Sequence, residues 1–482
     1  MNKEDHYKQL VWNTWAERIK KSKYKTIFLH GIMGGELYDV ADDNTRWIDL
    51  GVFGEVDSLE FSKLTPEGAV DLYGQSIISR STISPPVLGD HYGDFFSDVG
   101  RGLFCYDWRD SIPLEAKRLC NFLRELLDQN GHNMQKVSFV THSMGGCVLM
   151  NMLSNTAEFD NFIDKIIFCA PPFYGALKPI DVIEKGVGTP IDFLINNAAL
   201  KRSAATMPGL FQLLPAHSGV WPSNPVNGIN VKYPVAGETS LFYPDALMNN
   251  ERKDLRQQIL SSAWKYYDDL HKNIPKIISR LSNKINVIVG LNGKTAYMAK
   301  RYSGEWRLHT TETQSIPPGK ISNGDGTVLF QSSTLPGLPK TQYWAHIPQT
   351  RENSHGGLVN VPNVREGILD LLNNQSPQTL QAFNQFSGDI YFGDEVAGAT
   401  DPKPTQGLNY LERAKVRQVT PITHWGKKGL NPGGNDDHTF FLTRQAAYKV
   451  LAGESLTRAA ERINCTPNFL REHIRDLLLP LL

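Results

Sequence analysis

An excess of charge of either sign is missing from this chain of 482 residues, in which Lys and Arg number 50 and Asp and Glu number 50. Neutral balance gives no global field toward nucleic acid or an anionic membrane, and leaves such contacts to a local patch. Long apolar runs are missing too. A membrane-crossing helix needs about 18 or more consecutive apolar residues, and no such stretch occurs, so membrane contact is expected to be peripheral. The opening MNKEDHYKQLVWNTWAERIKK lacks a continuous apolar core, which argues against a cleaved leader. Cysteine is scarce and odd in number: Cys105, Cys120, Cys147, Cys169 and Cys465. Cys105, Cys147 and Cys169 sit in apolar stretches and read as buried free thiols, not as a disulfide framework. That favours a reducing, cytoplasmic compartment. Neither G-x-G-x-x-G nor a Walker pattern occurs, which weakens any reading of the Gly-rich loops as phosphate cradles.

What is present is an alternation. YKTIFLHG (24–31), GLFCYDWR (102–109), VSFVTHS (137–143), DKIIFCAPP (164–172) and INVIVGLNG (285–293) are short apolar runs ending in polar or turn-forming residues. They read as buried parallel strands. Helical patterns fall at 5–22, 116–130 and 145–155. Strand alternating with helix predicts a mostly parallel, doubly wound α/β sheet. Two long segments interrupt it, 38–100 and 176–284, and are expected as cap or lid insertions. The main α/β domain would then span 1–374, an irregular linker or surface wrap 375–440, and a helical module 441–482.

The chemistry centres on V-S-F-V-T-H-S-M-G-G. A strand runs into a small-residue turn and then an apolar helix, the setting of a G-x-S-x-G nucleophile elbow in an α/β-hydrolase fold. Ser143 is the candidate nucleophile. Gly145 supplies the small residue two places after it, whereas Thr141 stands where Gly is commonest. The plain structural alternative is a buried turn Ser capping the next helix. A serine hydroxyl needs a base within reach and a third group to orient that base. In this fold the chain order is Ser, acid, His. Asp325 in S-N-G-D-G-T-V and His355 in N-S-H-G-G-L-V fit that order, although N-G-D-G is also plain turn chemistry. His346, in QYWAHIPQ, is a rival placed on the last sheet strand. His30 and His142 precede the acid and read as supporting groups. An oxyanion hole needs two backbone N–H groups. Met144, next to the nucleophile, and Ile32, in the loop L-H-G-I-M-G-G-E-L after the first strand, are the candidates, with Gly31 permitting the loop's turn.

At these residues the sequence resembles the lecithin:cholesterol acyltransferase family, which includes lysosomal phospholipase A2 and the phospholipid:diacylglycerol acyltransferases. The matching pieces are HGIMGGEL (30–37), RWIDL (46–50), YDWR (106–109), THSMGG (141–146), APPFYGA (170–176), LLP (213–215), GDGTV (324–328) and SHGGL (354–358). The resemblance implies a triad of Ser143, Asp325 and His355, with an oxyanion hole at Ile32 and Met144. It places Trp47 in a lid loop meeting lipid, and Asp107, Trp108 and Arg109 in structural support. It implies hydrolysis of a phospholipid or neutral-lipid ester, or acyl transfer to an alcohol, with no cofactor and no metal. Secreted members carry a lid disulfide, and this chain has no Cys between 38 and 104. A cytoplasmic relative, peripheral at membrane, is the expectation.

Residues 443–482 keep apolar positions at helical spacing around Gly453 and Thr466-Pro467, like a small helix-turn-helix unit. The positive bias is mild, with Arg458, Arg471 and Arg475 as candidate phosphate contacts. Docking to a protein, or oligomerisation, is the bland reading. The alternative is a regulatory or binding protein, with a hydrolase-like scaffold sensing a ligand and a tail contacting DNA.

Overall fold

The computed structural model describes residues 3–47, 59–72, 75–83, 92–128, 136–186, 197–217, 234–236, 253–302, 305–310, 316, 318–349 and 354–391. The helical module expected at 441–482, and most of the linker before it, lie outside the described residues.

Helix α1 (Lys3–Lys21) leads to strand β1 (Thr26–Leu29). The insertion that follows holds β2 (Gly35–Asp39), β3 (Asn44–Trp47), β4 (Phe61–Thr65), β5 (Gly68–Asp71), β6 (Ile77–Thr82) and α2 (Gly93–Val99). Strands β3, β2 and β6 form one antiparallel sheet, and β4 and β5 form a hairpin. Helix α3 (Ile112–Asp128) buries Ile112, Ala116, Leu119, Phe122, Leu123 and Leu126, the three-and-four spacing of one helical face. Next come β7 (Val137–His142), α4 (Met144–Asn155) and β8 (Ile163–Cys169). Every residue of β7 is buried, as befits a strand covered on both faces.

The second insertion holds α5 (Lys178–Lys185), α6 (Asn197–Ala204), α7 (Pro208–Phe211) and β9 (Val235–Ala236). It ends in α8 (Lys253–Leu281), of 29 residues. The expected cap over 176–284 therefore needs correcting at its end. Helix α8 packs on α4, buries Ile274, Ile277 and Leu281, and donates from Arg280 Nη2 to the Leu153 carbonyl at 2.9 Å. It is the crossover helix between β8 and β10 (Ile285–Gly290). The rest is β11 (Ala296–Tyr302), β12 (Glu305–Thr310), β13 (Ile321–Ser322), β14 (Tyr343–His346), α9 (Pro362–Leu372), β15 (Gln381–Ala382), α10 (Phe383–Phe386) and β16 (Ile390–Tyr391).

The central sheet has six strands in the order β1-β7-β8-β10-β14-β15. All neighbours run parallel except β14 and β15. Helices α3, α4 and α8 pack together as one layer, while α2 and α9 pack together and α9 rests on β8. This is the α/β-hydrolase architecture the alternation predicts.

Two expectations are corrected. GLFCYDWR is not a strand: only Leu103 bridges, to Phe28, before the chain leaves the sheet. At its polar end Arg109 folds back on Asp107, with Nη2 at 2.7 Å from Oδ2. Residues 375–391 are not a loose wrap either. Strand β15 pairs with β14 at the sheet edge, so β14 is not the last strand, and Phe383 and Phe386 are buried behind it. The elements there are only two to four residues long, too short to leave a periodic signal.

Cys105, Cys120, Cys147 and Cys169 are free thiols, and burial pushes Cys147 up to about 12. Cys465 lies outside the described residues.

Candidate active site

Strand β7 delivers Ser143 at its carboxyl end. The residue holds φ 52° and ψ −124°, a left-handed conformation that a non-glycine residue adopts only under constraint from its surroundings. Its own N–H donates to the Cys169 carbonyl at 2.9 Å, while its carbonyl accepts from the Gly146 N–H at 2.9 Å. Gly145 is required by contact. A Cβ there would lie 2.5 Å from the Leu29 carbonyl oxygen and 2.6 Å from that of His30. The elbow is thus wedged against the end of β1.

The irregular Thr141 is accommodated by the next glycine. A Cβ on Gly146 would meet Thr141 Oγ1 at 3.2 Å and the Pro171 ring at 2.8 Å. The room a glycine at 141 would provide is found instead at 146. Among the described residues the buried Thr141 hydroxyl has no hydrogen-bond partner. Thr141→Val keeps the shape and removes an unsatisfied polar atom. It is expected to stabilise the fold by about 1 kcal/mol with activity retained, as read from the denaturant midpoint. A lower midpoint would show that the hydroxyl has a use.

The acid and the base arrive from two loops beside β10 and β14. Asp325 is 1% exposed. Its Oδ1 accepts from the backbone N–H of Thr327 at 3.0 Å and of Val328 at 2.8 Å. That leaves Oδ2 for His355, whose Nδ1 lies 2.7 Å away. Gly324 and Gly326 flank it at φ 118° and 100°, so the N-G-D-G turn also aims the carboxylate. The Asp325 carbonyl accepts from the N–H groups of both Ser354 and His355, which holds the base's backbone to the acid's. His355 Nε2 then sits 3.0 Å from Ser143 Oγ. With Nδ1–H donating to the carboxylate, Nε2 is the acceptor for the serine proton. The structure thus brings Ser143, His355 and Asp325 into one hydrogen-bonded line. His346 remains on β14 and forms no part of it.

The glycine-rich loop after β1 lies against the elbow. A Cβ on Gly31 would come within 3.1 Å of Ser143 Cβ. Ile32 follows it, and Met144 opens α4, where helix geometry leaves the first N–H groups without partners inside the helix. His30 is fully buried. Its Nδ1 lies 2.7 Å from the Gly31 carbonyl, its ring stacks on Tyr106 at 4.3 Å, and burial depresses it to about 4. It stays neutral and acts as a strut beneath the loop.

Trp47 does not sit in a lipid-facing lid. It is 3% exposed, donates from Nε1 to the Met33 carbonyl at 2.9 Å and packs edge-on against Trp108 at 5.2 Å. Met33 has φ 60°, and the indole braces this turned residue from behind. Trp108 Nε1 donates to the Gly35 carbonyl at 3.1 Å, so two indoles staple the same loop. A Trp at the end of a short strand inside a long insertion looks like an exposed tip; only the tertiary contact reveals its role.

Tyr92 escaped the sequence reading. It stands just before α2, is 3% exposed, and reaches both Gly31 N and His142 Nδ1 with its hydroxyl. A lone tyrosine in a segment without periodicity gives no signal.

Among the described residues no group of His, Cys, Asp and Glu is arranged to hold a metal ion, and no helix is long and apolar enough to cross a membrane.

No curated protein matches the chain by sequence. Among solved structures, the Tle4-Tli4 complex is similar at 13% identity and a TM-score of 0.47, covering 72% of this chain and 98% of that one. A lipase of Bacillus licheniformis, BlEst2 in its propeptide form, shows 13% identity and a TM-score of 0.28, over 73% of this chain and 50% of its own. Phospholipase PlaB from Legionella pneumophila shows 11% identity and a TM-score of 0.32, over 75% of this chain and 62% of its own. Residues 103–316 match the family model of lecithin:cholesterol acyltransferase. The sheet and the elbow are those of an α/β-hydrolase fold, and residues 103–316 of the chain are similar to the lecithin:cholesterol acyltransferase family.

Proposed function

We propose that this protein is a serine hydrolase or acyltransferase acting on acyl esters of lipids. The observation that carries the reading is the line from Asp325 through His355 to Ser143, at 2.7 and 3.0 Å, ending on a hydroxyl held in a left-handed turn. Ser143 Oγ attacks the ester carbonyl carbon while His355 Nε2 takes its proton. Asp325 orients the imidazole and offsets its developing charge. The oxyanion takes hydrogen bonds from the backbone N–H groups of Ile32 and Met144. The leaving alcohol takes the proton back from His355 and departs, leaving an acyl group on Ser143. Water, or a second alcohol, then attacks the acyl-enzyme with His355 again as base. Hydrolysis and transfer share this intermediate and differ only in which nucleophile reaches it. Lipid as the substrate class rests on the family match over residues 103–316.

The test is a panel of phospholipids and neutral glycerides, presented as mixed vesicles and followed by mass spectrometry with and without a long-chain alcohol. Free fatty acid with a deacylated lipid is the expected product, and a new alkyl ester would mark transfer. A protein that labels with a fluorophosphonate yet cleaves no lipid of the panel would keep the serine chemistry and overturn the lipid substrate.

A further inference from the structure

The catalytic line accounts for the side chain of His355 but not for what holds its backbone against the oxyanion loop. A second line of hydrogen bonds does so. His142 Nε2 lies 2.7 Å from the His355 carbonyl oxygen. A carbonyl only accepts, so Nε2 carries the hydrogen. In a neutral ring Nδ1 is then bare, and it accepts from the Tyr92 hydroxyl at 3.0 Å. That hydroxyl in turn accepts the Gly31 N–H at 3.3 Å. The donors therefore run one way, from Gly31 through Tyr92 to His142, and from the far nitrogen of His142 to His355. One end is the residue before Ile32, and the other is the backbone of the base.

The parts are set firmly. Tyr92 and His142 are each 3% exposed. The Tyr92 ring packs on Phe28 of β1 at 4.8 Å. Helix α2, which begins beside it, is pinned to the turn after His355 by the Phe95 N–H on Asn360 Oδ1 at 2.9 Å. The His142 and His355 rings lie 5.0 Å apart.

We propose that Tyr92 and His142 are positioning residues, a relay that locks the oxyanion-hole backbone to the loop of the general base and so keeps both in register with the reacting carbonyl. The inference rests on the catalytic reading of Ser143, His355 and Asp325. It also gives the long insertion after β1 a direct hold on the chemistry, since Tyr92 belongs to that insertion and stands just before its helix α2.

The full chain serves for the test, as Tyr92→Phe, His142→Phe, the double variant, His142→Gln and Ser143→Ala. Hydrolysis of a p-nitrophenyl ester gives kcat and KM, and melting temperature reports folding. Tyr92→Phe and His142→Phe are each expected to lower kcat by about 10-fold, with KM within about twofold, because geometry near the transition state is lost while ground-state binding is kept. The double variant should be no worse than the worse single one, since one relay is broken either way. His142→Gln, whose amide can still donate to the His355 carbonyl, should recover part of the loss. Unchanged kcat in Tyr92→Phe and His142→Phe, or losses that multiply in the double, would overturn the relay while leaving the catalytic line intact. Hydrolysis that survives Ser143→Ala would instead remove the catalytic reading, and the relay with it. Should His142→Phe fail to fold, Tyr92→Phe decides alone, because the ring and its packing on Phe28 are kept.

Discussion

Ser143→Ala is expected to abolish fluorophosphonate labelling and to cut ester hydrolysis by roughly a thousand- to a million-fold, with the fold intact. The size follows from what is removed. Among the described residues no other hydroxyl is hydrogen-bonded to His355 Nε2, so the covalent route is lost. Folding should survive, because Ser143 makes its structural contacts through the backbone: its N–H on Cys169 and its carbonyl to Gly146 remain in alanine. Asp325→Asn should come next, with a loss of roughly ten-thousand-fold. An amide in place of Oδ2 offers its own N–H to Nδ1 and favours the ring tautomer that cannot accept from Ser143. The two variants separate the roles. The first should abolish labelling, whereas the second should slow it. Persistent hydrolysis in Ser143→Ala, with unchanged product, would sink the assignment.

The parts of this site that were legible in the sequence share a property. Ser143, Asp325 and His355 each sit in a short segment whose local chemistry is constrained: a strand running into small residues, an Asp bracketed by left-handed glycines, a His among glycines. The constraint is written in neighbours along the chain, and the fixed order of the fold joins the pieces. Tyr92 and Trp47 are different. Their roles come from contacts across 50 and 14 residues of chain, from segments with no repeating pattern to give them away. The same reason explains the fold's surprises. GLFCYDWR is as apolar as a strand through Tyr106, yet it makes a single bridge to β1 and then turns where Asp107 and Arg109 pair across Trp108. Helix α8 lies in sequence within the long segment 176–284, with nothing local to separate it from a cap. Its burial against α4 is a tertiary fact.

Arg109→Met should cost about 3–5 kcal/mol of stability near neutral pH, the largest structural loss of any single change here. Arg109 has no exposed surface. It holds Asp107 through Nε at 3.0 Å and Nη2 at 2.7 Å, and reaches Asp71 of the β4–β5 hairpin through Nη1 at 2.8 Å. Methionine fills similar space but leaves Asp107 and Asp71 buried without the guanidinium that bridges them. The loss should depend on pH, and the sign can be fixed. Burial already lifts Asp71 to about 6, with the Arg109 charge pulling it back down and Asp107 adding to the rise. A carboxyl raised in the folded state binds its proton more tightly there than in the unfolded chain. Its contribution is therefore favourable below the unfolded value of 3.8 and is lost as pH climbs through about 6. Without Arg109 the folded value climbs further, and the unfavourable range widens upward. The variant should thus lie closer to the parent at pH 5, where Asp71 takes up a proton, than at pH 8. Denaturant unfolding at the two pH values measures it, and a deficit equal at both, or larger at pH 5, would refute the pairing. Activity should fall with stability. The Arg109 carbonyl accepts the Gly209 N–H at 2.9 Å, and a Cβ on Gly209 would meet Met144 Cε at 2.9 Å. The backbone at Arg109 thus holds α7, and α7 lies directly against Met144, the residue whose N–H is proposed to donate to the oxyanion.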